Sequence, residues 1–241
     1  MRRIEIAVFL ILLSGCRPSP SIDSVTAETK AQLQRQLDQD YADRHATVER
    51  VGLVQTTAPK YEGSATVIAY GSTLDVPLAV TSDGKTTLVT IDNQKLEDGF
   101  QSTLQHKLAL LDGKYSDYIV TPTIFALMPA SLQSAKADLS ARLGVIVPID
   151  SDGRYYFGSG CAPHECTMNE AAWAIDKMTG KGTAVIMEYS QSGVSAHEEF
   201  RLFGTTLDAL PHPLAVWAGQ HGMNEANVTP DMPAYQPPPQ K

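Results

Sequence analysis

The chain has 241 residues and a formal charge of −8, from 19 Lys and Arg against 27 Asp and Glu. Hydrophobic residues make up 43% of it, enough for one or two packed domains. The acidic balance argues against nucleic acid as a partner, since phosphate binding draws on Lys and Arg, and it favours encounter with a cationic partner.

Met1-Arg2-Arg3 is a short basic start, and Ile4 to Leu13 is apolar apart from Glu5. These features, with small residues after them, predict a secretory signal over residues 1–15. The apolar run is shorter than the roughly 20 residues that span a bilayer. Leu13-Ser14-Gly15-Cys16 resembles the lipobox of bacterial lipoproteins, in which the cysteine becomes the first mature residue and carries the acyl chains. The resemblance implies lipid (palmitate) on Cys16 and a membrane anchor, each buried CH₂ adding about 0.8 kcal/mol. Arg17, not Asp, follows the cysteine, which implies the outer membrane, facing the periplasm. Loss of Arg2, Arg3 and Glu5 with the signal makes the net charge −9. Residues 16–23, with Pro18 and Pro20, read as a tether.

Leu33, Leu37 and Tyr41 recur every four residues and predict a helix over 24–46. Strand-like runs follow at 47–54, 62–70, 74–81 and 86–92, divided by Pro59, Gly71-Ser72 and Asp83-Gly84. Residues 24–93 are thus expected to form a small α+β domain of unknown role, with no catalytic constellation. Leu96, Phe100, Leu104, Leu108 and Leu111 predict a helix over 94–111. Gly113 to Pro129 reads as irregular, and 131–143 as helical. Strands are expected at 154–159, 171–176, 183–189 and 198–203, with Lys177-Met178-Thr179-Gly180 as a hairpin turn and a closing helix at 213–219. Trp173 and Trp217 sit on apolar patterns and are assigned to the core. Residues 94–222 form the second unit. The Pro-rich segment 223–241 is expected to be disordered. The fold class is α+β throughout.

Three cysteines are present. With Cys16 assigned to lipid, Cys161 and Cys166 remain as an even pair in an oxidising compartment, where a disulfide is the expected state. They bracket Gly160-Cys161-Ala162-Pro163-His164-Glu165-Cys166 between two predicted strands. A ring this small gains little stability from chain entropy, so its use is to shape the loop. Pro163 stiffens the tip by fixing φ near −65°, and His164 offers a donor and an acceptor on an aromatic body. A rigid loop presenting one histidine loses little entropy on docking, although a solvated loop histidine fits the same residues. Two Cys and one His so close together do not close a tetrahedral metal site, and no CxxC, HExxH, phosphate loop or nucleophile elbow occurs. No metal, cofactor or enzymatic activity is expected.

The window resembles the Cys-Lys-Pro-His-Asp-Cys loop of the inhibitor of vertebrate lysozyme (Ivy) family. The likeness runs over residues 110 to 222, taking in the two strands and turn after the loop and Leu207 to Gly219 as the closing helical segment. It implies an Ivy-like antiparallel sheet with flanking helices over 94–222 and a protruding disulfide-bridged loop. It also implies that His164 enters the cleft of a c-type lysozyme to meet the two catalytic carboxylates. Cys161, Pro163, His164 and Cys166 match the family pattern. Glu165 replaces aspartate, keeping the charge, and Ala162 replaces lysine, losing a cation. The alternative is an envelope lipoprotein that uses the same fold, without enzymatic activity, to bind another cationic protein or a cell-wall component.

Overall fold

The computed structural model describes residues 20–44, 46–190 and 197–229. Cys16, the proposed signal and residues 17–19 of the tether lie outside the described residues, and the last two tether residues, Ile22 and Asp23, are helical. Helix α1 (Ile22–Asp40) starts where the Ser21 hydroxyl accepts the Ser24 N–H at 3.2 Å, satisfying one of the amides that a helix start leaves open. It buries Val25, Thr29, Leu33 and Leu37, one residue per turn. It stops at Asp40, short of the expected 46. Tyr41 leaves helical geometry (φ −135°, ψ 35°) and lays its ring edge-on against Phe100, 5.2 Å between centroids.

Four strands follow as an antiparallel meander in chain order: β1 (Thr47–Thr57), β2 (Lys60–Ala69), β3 (Ser72–Ser82) and β4 (Thr87–Ile91). Val76, Leu78 and Val80 of β3 alternate inward, as a sheet covered on one face requires. Helix α2 (Asn93–Leu108) is capped by Asp92, whose carboxylate accepts the Lys95 N–H at 3.1 Å. It buries Leu96, Phe100, Leu104 and Leu108, and continues as a 3₁₀ turn over Ala109–Leu111.

The segment read as irregular contains a 3₁₀ turn (Ser116–Val120) and a one-turn helix, α3 (Pro122–Phe125); neither is long enough to show a period. A 3₁₀ stretch (Ala130–Ala135) then leads into α4 (Lys136–Arg142). The second sheet is built from β5 (Val145–Ile146), β6 (Asp150–Ser151), β7 (Tyr155–Cys161), β8 (Asn169–Asp176), β9 (Gly182–Ser190) and β10 (His197–Phe203). Helix α5 (His212–Gln220) and a last strand, β11 (Val228–Thr229), close the chain. The spatial order is β11-β10-β9-β8-β7-β5, with β6 also on β7, and every pairing is antiparallel except β10 with β11. The segment expected to be disordered from 223 is therefore structured up to 229. Phe200 donates its N–H to Asn227 O at 2.8 Å, which draws β11 onto the sheet edge. Residues 230–241 lie outside the described residues. The fold is α+β, as expected.

Strands β8 and β9 are covered on both faces. Ala171, Trp173, Ile175, Ala184 and Ile186 join an apolar cluster that runs without a break back to Val25 of α1. Ala172, Ala174, Val185 and Met187 face Leu214, Trp217 and Ala218 of α5. Trp173 is fully buried and donates its indole N–H to Ser116 O at 2.9 Å. Opposite it stands Gly158, where a Cβ would lie 2.5 Å from the indole ring. The two sheets meet across α2. Lys107, 4% exposed, gives its amine to the carbonyls of Tyr70 and Thr123, and burial lowers its pKa.

Candidate functional site: the 161–166 loop

Strand β7 ends at Cys161 and β8 begins at Asn169, so the loop is the connection of an antiparallel pair. Cys161 is buried and pairs in register with Glu170 of β8. Cys166 is exposed. The two are bonded as a disulfide, Cα to Cα 4.9 Å, within the range such a bridge needs. The disulfide expected from the cysteine count is therefore present, with one sulfur rooted in the sheet and the other in the loop.

Inside the ring, Glu165 donates its N–H to Ala162 O at 3.0 Å. Pro163 and His164 are the two central residues of this turn, and His164 has φ +66°. Proline first and a left-handed residue second is the pattern of a type II turn. Among non-glycine residues, histidine is one of the few enriched at positive φ. The turn leaves the His164 side chain exposed at the tip, with Pro163 and Glu165 exposed beside it and Ala162 half-buried below.

The foot of the loop is held from three sides. The Pro163 ring rests against Gly144, where a Cβ would meet Pro163 Cδ at 2.8 Å. Ala162 donates its N–H to Asn169 O at 2.8 Å, and the Asn169 side-chain amide donates to the Glu165 carboxylate at 2.5 Å. The Met168 and Asn169 N–H groups both donate to Glu165 O at 2.9 Å. Thr167, also left-handed at φ +84°, donates its N–H to Glu170 Oε1 at 2.7 Å. Beneath these, Arg142 of α4 donates to Glu188 Oε2 at 3.0 Å and to Met187 O at 3.1 Å. Arg201 donates to Asp138 at 2.7 Å, and this bond holds the Asp138 carboxyl below its ordinary value.

The loop is flanked by apolar surface. Val145 and Ile146 pair with Cys161 and Gly160, and Val145, Ile146, Val147 and Met168 are each 40–43% exposed. All six expected loop residues are thus together, but the residues that fix their geometry were not visible beforehand. Gly144, Asn169 and Glu170 carry no motif. His221 carries none either, and its imidazole packs on the Trp217 ring. Trp173 and Trp217 are core, as assigned. Among the described residues, no group of three or more His, Cys, Asp and Glu is placed to hold a metal ion. Among the same residues, no helix is long and apolar enough to cross a membrane.

What the arrangement can do chemically is present one imidazole, at fixed height and direction, to a concave partner. No curated protein and no solved structure matches the chain. Residues 126–221, which run from just after α3 to His221, match the family described as Inhibitor of vertebrate lysozyme (Ivy).

Proposed function

We propose that this protein inhibits lysozyme by inserting the 161–166 loop into the enzyme's cleft, with His164 between the two catalytic carboxylates. The observation that carries the reading is His164 itself, exposed on a left-handed turn inside a disulfide ring. A glycosidase keeps one carboxyl protonated as acid and the other ionised beside the scissile bond. An imidazole can donate to one and accept from the other, or pair with the ionised one as a cation. Either mode occupies the groups that sugar must reach. The protein needs no chemistry of its own. A cavity of about 540 Å³ at the opposite end of the sheet has Asp176 as its one acid, already paired with Arg154 at 2.9 Å.

Val145, Ile146, Val147 and Met168 supply apolar contact around the loop, and a lysozyme rich in basic residues would be drawn by the acidic charge. On this reading lipid on Cys16 anchors the protein to the outer membrane, facing the periplasm, with the residues between Cys16 and the Ser21 cap of α1 as tether. It stands there beside the wall that lysozyme attacks. Titration of the soluble protein against a c-type lysozyme tests the reading. Stoichiometric loss of lysis is expected, and His164→Ala should weaken inhibition at least tenfold. Lysis that persists at micromolar excess, or inhibition that His164→Ala leaves intact, refutes it.

A further inference from the structure

We propose that Glu170 and His221 are positioning residues for this loop: the end of α5 holds a carboxylate of β8, and that carboxylate fixes the loop's returning limb. The proposal rests on the binding role given to the loop above. Glu170 stands in register with Cys161, at the foot of the ring. Its Oε1 accepts the Thr167 N–H at 2.7 Å, and its Oε2 lies 3.0 Å from His221 Nε2. His221 Nδ1 lies 2.7 Å from Trp217 O, and the imidazole packs on the Trp217 ring with 4.3 Å between centroids. The Glu170 and His221 side chains are only 15% and 21% exposed, so water competes poorly for these bonds.

Both atoms facing the His221 ring are acceptors, to either of which a ring N–H can donate. The carboxylate is then gripped by a group that is itself fixed to a core tryptophan. Thr167 needs such a hold. A threonine at φ +84° occupies backbone space that β-branched residues normally avoid, and it stays there only when its surroundings dictate it. Thr167 follows Cys166 directly. Release of its N–H would free the second sulfur's backbone and, through the ring, the direction of His164. A path therefore leads from α5, more than 50 residues downstream, to the tip of the loop.

The test uses the purified, oxidised soluble protein carrying Glu170→Ala, Glu170→Gln or His221→Gln. Amide exchange over 162–169 and inhibition of a c-type lysozyme are both measured. Glu170→Ala should speed exchange in this segment at least tenfold, with the rest of the sheet unchanged, and weaken inhibition about five- to tenfold. Glu170→Gln keeps an acceptor for the Thr167 N–H and should restore most of both. His221→Gln should show an intermediate loosening. Exchange over 162–169 that ignores Glu170→Ala, or a Gln variant as loose as the Ala variant, overturns the proposal. If the wild type leaves lysozyme active while Glu170→Ala still loosens the loop, the positioning stands and the inhibitor reading falls.

Discussion

Strand β8 is entered through the 162–168 loop and left through the 177–181 turn, and the two connections are stiffened by different means. The loop is closed by a covalent bond, and its tip faces outward. The turn is closed by one carboxylate. Asp176 Oδ1 accepts the N–H groups of Met178 and Thr179 at 2.8 and 3.1 Å, and Oδ2 accepts from Arg154 Nε at 2.9 Å. Gly180, at φ +72°, brings the turn against Leu104 and Tyr70, while Gln105 donates to Lys177 O at 3.1 Å. The turn is thus a joint with α2 and draws its order from the core. The loop has no core around its tip, and order there comes from a bridge, a proline and hydrogen bonds at its foot. A surface element can be rigid without being buried, provided that its constraints are built into the chain.

This contrast makes ordered predictions. Gly180→Ala should be the most damaging to the fold, at about 2–4 kcal/mol, because the new Cβ would meet Leu104 Cδ1 at 2.6 Å in a left-handed backbone. Urea unfolding measures it, and the native fraction should inhibit as before. Asp176→Ala should cost somewhat less, about 2–3 kcal/mol, by leaving turn amides without their acceptor. Burial raises the Asp176 pKa, but the bonds from Met178, Arg154 and Thr179 outweigh it and hold the carboxyl below its ordinary value. The carboxylate's contribution is therefore complete above about pH 4 and is lost as pH falls further, through the folded value. The alanine variant should lack that acid limb. Replacing Cys161 and Cys166 with serine should cost the least stability, about 2 kcal/mol for so small a ring, yet weaken inhibition at least tenfold. Stability losses in the reverse order, with affinity intact, would make the bridge a staple of the fold and dissolve the contrast.

Much of this was readable from local pattern. The Leu33–Leu37 and Leu96–Leu108 spacings, the alternation in β3 and the turn at Lys177–Gly180 each declare themselves within a dozen residues. The loop did so too, because its bridge, proline and histidine lie within six positions. What escaped depends on distance in sequence or on brevity. Glu170 and His221 are 51 residues apart, and nothing local to either announces the other. Strands β5, β6 and β11 are two residues each, too short for any period, and exist because a longer strand offers them an edge. The inward-facing Lys107 runs against every rule of helix patterning. Its place is set by two carbonyls, those of Tyr70 and Thr123, that only the folded chain brings near. Tyr41 extended the α1 period by one more step and belonged instead to the packing of α2.

The seven paired positions between β7 and β8, from Tyr155–Asp176 to Cys161–Glu170, have a mechanical meaning. A partner that grips the loop and is pulled away draws both strands in one direction, along their own length. The hairpin cannot then peel from β9 one bond at a time, since the ladder joining β8 to β9 is loaded in shear and its bonds share the force. A pull on the loop is thus carried along the whole β8–β9 ladder, from Asn169–Glu188 to Ile175–Gly182, and not by the hydrogen bonds nearest the loop alone.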